Sequence, residues 1–143
     1  MRHLNTGRKF DRNASSRRAM FRNLTANLVL HERVETTIAK AKELRRVAEK
    51  LLTKAIRLGT VAYAPLENLS ATDRARRVHI ARLVSAFIGH FGTRTLPGGE
   101  SQRVDLVEKV LRDLAKRFGE STHKGGYTRI TRLGPRRGDG AEM

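Results

Sequence analysis

"RVETTIAKAKELRRVAEKLLTKAIRLG" (residues 33–59) changes its periodicity within five residues. Its opening, 33–37, holds a valine and two threonines, side chains that suit a pleated surface, and predicts a short β segment. Thr36 or Thr37 can cap a helix starting directly after it. From there the apolar spacing becomes helical: Ala41, Leu44, Ala48, Leu51 and Ala55 form one stripe, widened by Val47, Leu52 and Ile56, until Gly59 stops it. A strand feeding straight into an amphipathic helix predicts that the two kinds of element share a core.

The neighbouring segments extend that pattern. Upstream, Ser15 or Ser16 can cap a helix carrying Met20, Phe21, Leu24 and Leu28, which His31 and Glu32 end. Downstream, residues 60–70 form a loop broken by Pro65, and a capping-box pattern from Ser70 to Asp73 opens a third helix. Its expected core face is Ile80, Leu83, Val84, Phe87, Ile88 and Phe91, closed by Gly92. After the turn-forming "LPGGE" (96–100), a fourth helix is expected from about Ser101 to Phe118, with Val104, Val107, Leu111, Leu114 and Phe118 on one face and Gly119 after them. The remainder predicts a strand over 127–133, "YTRITRL", and then a basic loop. Four helices with short strands after the first and the fourth predict a two-layer α+β domain over residues 15–143.

Residues 1–14 stand apart. The first 22 positions hold seven Arg or Lys and one acid, Asp11, with almost nothing apolar to fold around. Such an arm cannot offset its own ordering entropy, so either it stays disordered or an outside partner orders it. The whole chain has 30 basic and 14 acidic residues, a net charge of +16 and a pI near 11.5. That excess predicts attraction to polyanions, with nucleic acid ahead of an anionic membrane surface. Cysteine is absent, which excludes disulfides and thiolate-held zinc, and no apolar run approaches the ~20 residues of a spanning helix.

Catalysis finds no constellation. The five histidines lack a metal-ligand spacing; His79 and His90, eleven residues apart, can share a helix face but not an ion. Gly98 and Gly99 are not followed by the Lys-Ser of a phosphate loop. No metal, cofactor or small-molecule substrate is expected. Most aromatic residues fall on apolar stripes and read as packing; only Phe10 and Tyr127 sit in basic, glycine-containing surroundings. Arginine is therefore the expected instrument of recognition, because a guanidinium forks onto phosphate and stacks on exposed bases.

Three stretches together resemble the bacterial large-subunit ribosomal protein family L-seventeen. They are "MRHLNTGRKFDRNASSRRAMFRNL" (1–24), "VETTIAKAKELRRVAEKLLTKA" (34–55) and "GGYTRITRLGPRRGDGAEM" (125–143), in the family's order. The resemblance implies an α-β-α-α-α-β-β order with a small mixed sheet on the helices, and a last hydrophobic strand beyond Met143. Residues 60–72 and 93–100 look longer than is usual for the family. It also implies a non-enzymatic ribosomal protein bound to large-subunit rRNA and to neighbouring large-subunit proteins, in the cytoplasmic ribosome or an organellar one, with no role at a membrane. The competing reading is a basic nucleoid-type DNA-binding protein, for which no dimeric β-arm with an apolar wedge is visible.

Carried over position by position, the resemblance implies three sets of RNA contacts. The first is Arg2, His3, Arg8, Lys9, Arg12, Asn13, Ser15, Arg17, Arg18, Arg22 and Asn23. The second, where strand meets helix, is Thr36, Thr37, Lys40, Lys42, Arg45 and Arg46, at a helix N-terminus whose amides suit phosphate. The third is Lys124, Tyr127, Arg129, Arg132, Arg136 and Arg137.

Overall fold

Asn13 starts the first helix: its backbone is extended and its Oδ1 accepts the Ser16 N–H at 2.8 Å. The cap therefore lies earlier than the Ser15 or Ser16 expected from sequence, and asparagine serves that position as well as serine does. In this computed structural model, which describes residues 7–121 and 125–143, helix α1 spans Ala14–His31 and ends at Glu32, a left-handed residue with φ 58°. Helix α2 spans Ile38–Ile56, and α3 spans Ala71–Ile88. Strands β1 (Phe91–Thr95) and β2 (Ser101–Asp105) follow as an antiparallel hairpin. A continuous helical run then comprises α4 (Leu106–Glu108), a π-helical turn (Lys109–Leu114) and α5 (Ala115–Gly119). Helices packed beside a small antiparallel sheet make the fold α+β, as expected.

The strands lie elsewhere than the sequence suggested. Residues 33–37 and 127–133 join no ladder among the described residues, whose one sheet is the β1–β2 hairpin. β-Branched side chains fit a pleated surface, yet a strand exists only where a second strand meets it. Residues 101–105, expected as the first turn of the fourth helix, pair instead with β1, from Phe91↔Asp105 to Thr95↔Ser101. Asp105 then caps the helical run, its Oδ1 accepting the Val107 and Glu108 amides at 2.9 Å each.

The core is helical. In α2 the stripe holds from Leu44 onward, with Leu44, Ala48, Leu51, Leu52 and Ala55 buried, while Ala41, Val47 and Ile56 are half-buried. In α1 the buried row is Phe21, Thr25 and Val29, with Leu30; Met20, Leu24 and Leu28 are only half-buried. Thr25 is tolerated there because its hydroxyl donates to the Phe21 carbonyl at 2.7 Å. In α3 only Val84 and Ile88 of the expected face are buried, while Leu83 and Phe91 are exposed. Gly89, at φ 82°, ends that helix before Gly92, so His90 lies outside it and shares no helix face with His79.

The π turn has a sequence origin. Leu106 and Val107, Val110 and Leu111, and Leu114 and Ala115 are all buried. These pairs recur every four residues, whereas an α-helix turns every 3.6. Over the eight residues from first pair to last, an α-helix would rotate the stripe by about 80° away from the core. Widening the middle of the run keeps all three pairs inward.

Residues 125–143 close on themselves and on α2. Leu133 N–H donates to the Met143 carbonyl (2.9 Å) and Arg136 N–H to the Ala141 carbonyl (2.9 Å), with a bridge between Pro135 and Glu142. The Ile38 N–H, at the start of α2, donates to the Glu142 carbonyl at 2.9 Å. Thr37 occupies the N-cap of α2 without a side-chain bond, so a distant carbonyl serves an amide that the helix leaves unpaired.

Candidate nucleic-acid interface

Helix α1 contains no acidic residue, and Arg17, Arg18 and Arg22 lie along its first half. Ahead of it, Phe10 turns back edge-on to Phe21, ring centroids 5.9 Å apart, which anchors the exposed Arg8, Lys9 and Arg12 to the helix. Among the described residues Arg8, Lys9, Arg12, Arg17 and Arg18 have no carboxylate within ion-pair distance. Arg22 donates its Nε–H to the Phe87 carbonyl at 2.7 Å, which fixes the stem of a side chain that remains exposed. Asn13 and Ser15 bond each other (3.0 Å) at the helix cap, and Asn23 is exposed. Arg2 and His3 lie outside the described residues.

In the second set the picture is mixed. Lys42 is exposed and Lys40 half-buried, both without a carboxylate partner among the described residues. Arg45 instead pairs with Glu49 at 3.2 Å, and Arg46 lies 3.9 Å from Glu43. Thr36 and Thr37 are half-buried where the extended chain enters α2, and one amide there already holds Glu142. In the third set Arg129, Arg132 and Arg137 are exposed, and Arg136 is held by a two-pronged contact with Asp139. That contact keeps the Asp139 carboxyl well below the usual carboxylate range, and Arg136 raised, the shared hydrogen bond being the largest cause of both. Tyr127 packs half-buried on Phe118, centroids 5.2 Å apart; Lys124 lies outside the described residues. The second and third sets meet: Thr36, Arg45 and Arg129 line one cleft of about 440 Å³ over Leu28, Ile38 and Ile130.

Other cations serve the fold. Arg77, only 3% exposed, donates to the Ala64 carbonyl at 2.7 Å and to the Glu108 carboxylate at 3.1 Å, tying α3 to the linker and to α4. Lys109 donates to the Leu30 carbonyl (3.0 Å) at the end of α1 and pairs with Glu32 (3.2 Å), which Arg117 also holds at 2.8 Å. The Arg117 hydrogen bond, joined by Lys109, lowers the Glu32 pKa against a smaller opposing effect of burial.

One basic feature was not singled out in the sequence. Arg46, Lys50 and Lys54 follow one another at four-residue spacing on α2, like charges that weaken a helix slightly. Lys50 and Lys54, with Arg18, rim a groove of about 350 Å³ whose floor is Val47, Leu51, Val84 and Phe87; no acid lines it. The repeat and the third helix were both visible in the sequence, though their packing across one groove was not.

The exposed cations of the arm and of α1 thus form a surface that internal carboxylates leave uncompensated. Comparison with known proteins matches the sequence to a family. A family model described as ribosomal protein L17 matches residues 20–143. The large ribosomal subunit protein bL17 of Sorangium cellulosum is 59% identical over 143 residues, covering all of this chain and 80% of its own. That of Exiguobacterium sibiricum is 40% identical over 135 residues, 94% of this chain and 92% of its own, and that of Dehalococcoides mccartyi 39% over 143, 100% and 94%. The alignments covering the whole chain include the opening arm, which precedes the family-model match. The chain belongs to the ribosomal protein L17 family.

Proposed function

We propose that this chain is a structural, non-catalytic constituent of the large subunit of the bacterial cytoplasmic ribosome, held there by large-subunit rRNA and neighbouring large-subunit proteins. The observation that carries the RNA contact is the partition of the cations. Arg77, Lys109 and Arg117 are tied to Glu108 or Glu32, whereas Arg8, Lys9, Arg12, Arg17 and Arg18 meet no carboxylate among the described residues. Cations left uncompensated on an exposed face destabilise the free protein slightly and gain from phosphate. The arm of residues 1–14, tied to the helix by Phe10, takes its final form against the RNA, and α1 presents Arg17, Arg18 and Arg22 behind it. Arg129 at the cleft by the start of α2, and Arg132, Arg137, Lys40 and Lys42, supply further contacts. A nucleoid role has no observation in its favour within this family.

The test is co-sedimentation of the native protein from gently lysed cells at low salt. It is expected in the large-subunit fraction, and release of the protein by ribonuclease but not by deoxyribonuclease completes the result. Recovery with DNA would overturn the reading.

A further inference from the structure

We infer that the outer face of the β1–β2 hairpin is a stacking platform for an unpaired RNA base, built from Arg103 lying on Phe91. The inference rests on the proposed rRNA binding and adds a site that lies outside the arm and outside all three sets of expected contacts. Phe91 is 48% exposed, and no other Phe or Tyr among the described residues is as open. The pleat forces it outward. A Cβ on the next residue, Gly92, would come within 3.2 Å of Leu30 and 3.3 Å of Leu106, so the Gly92 side of the strand faces the core. Side chains alternate along a strand, which puts Phe91 with Thr93 and Thr95, and their partners Asp105, Arg103 and Ser101, on the far side.

On that side Arg103 lies over the ring, its guanidinium carbon 3.8 Å from the centroid. It makes no ion pair or hydrogen bond with any described residue. The nearest acid in the ladder, Asp105, is engaged elsewhere: Oδ1 caps the helical run and Oδ2 sits 3.4 Å from the His90 Nε2. His90 packs edge-on to Phe91 from the side, centroids 4.6 Å apart. The guanidinium thus rests against the ring on an exposed side chain, with its N–H groups uncommitted among the described residues. An unstacked base takes a guanidinium face, and the adjoining phosphate takes its N–H edge. An apolar protein side chain would need the ring face that Arg103 already covers. Short Thr and Ser side chains around it leave room, and the +16 chain draws in the polyanion.

The experiment measures binding of the full chain and its variants to a large-subunit rRNA transcript over a range of salt. Phe91→Ala is expected to weaken binding about 5- to 150-fold, the range for loss of one stacked base, at an unchanged slope of log K against log salt. Phe91→Tyr keeps the ring and should bind within about twofold of the parent. Arg103→Lys keeps the charge but loses the plane, and should weaken binding as Phe91→Ala does. Parent-level binding by Arg103→Lys, or by Phe91→Ala, overturns the platform while the salt-dependent affinity of the parent leaves rRNA binding standing. Variants that bind the transcript normally yet fail to enter the subunit would assign the face to a protein neighbour, and also overturn it. A parent without salt-dependent affinity would sink the rRNA reading itself. Thermal melts by circular dichroism accompany each variant; should Phe91→Ala unfold, Phe91→Tyr and Arg103→Lys decide the matter.

Discussion

Neutralising Arg8, Lys9 and Arg12 together as glutamines tests the arm while leaving its anchor in place. Deleting residues 1–14 would be a poorer perturbation. It would remove the Asn13 cap and the Phe10–Phe21 contact, worth about 1 and about 0.5–1.5 kcal/mol, and so mix stability with binding. The three cations are exposed and lack carboxylate partners among the described residues. Each phosphate they neutralise contributes about 0.7–0.9 to the slope of log K against log salt, so the triple variant should lose about 2–2.7 from that slope. Between 50 and 200 mM salt the advantage of the parent should then shrink by about 15- to 40-fold. Filter binding to a large-subunit rRNA transcript at four or five salt concentrations reads the slopes directly. The melting curve, followed by circular dichroism, should not fall and should rise slightly if at all, because none of the three side chains is buried and their mutual repulsion is relieved. Parallel lines for parent and variant would show that the arm is a solvated tail, and the reasoning from uncompensated charge would fail with it.

Leu111→Ala, at a fully buried position inside the π turn, should cost about 2–5 kcal/mol in denaturant unfolding; a loss under about 0.5, usual for a surface site, would mean that the run buries another face. Arg77→Met leaves the Ala64 carbonyl without its donor, but Glu108 is 42% exposed and keeps Arg112 at 2.7 Å. The expected cost is therefore about 1–3 kcal/mol, below that of breaking a fully buried pair. Glu32 has a lowered pKa in the folded chain, so its contribution is present above the ordinary carboxylate value and is lost as the pH falls through the folded one. Melting temperatures of parent and Glu32→Gln should accordingly differ at neutral pH and converge in acid; a gap that widens in acid would refute the assignment.

The α2 stripe was legible because one period runs unbroken from Ala41 to Ala55, and tertiary packing only confirmed it. The hairpin was not. Its inward positions, Gly92 and Arg94 opposite Val104 and Gln102, offer no apolar alternation, and Val104 fell by coincidence on the helical spacing of Val107 and Leu111. The four-residue period of 106–115 could have been counted, but a search at 3.6 passes over it. Of the interface, the basic arm and the acid-free α1 are open to reading from composition. Which cations are already neutralised is not, because the partners are remote in sequence: Arg117 meets Glu32, and Arg77 meets Glu108. The stacked pair Phe91 and Arg103 needed the strand register, which no local pattern announced.

The bond from the Ile38 amide to the Glu142 carbonyl makes one proton a reporter of an otherwise hidden equilibrium. The amide of Ala41 and those after it along α2 are bonded inside the helix, so their exchange with solvent tracks the opening of the helix itself. Ile38 exchanges whenever the terminal segment lifts away, even while the helix stays whole. Its protection relative to that of Ala41 therefore counts how often residues 125–143 undock, a local opening that leaves α2 folded.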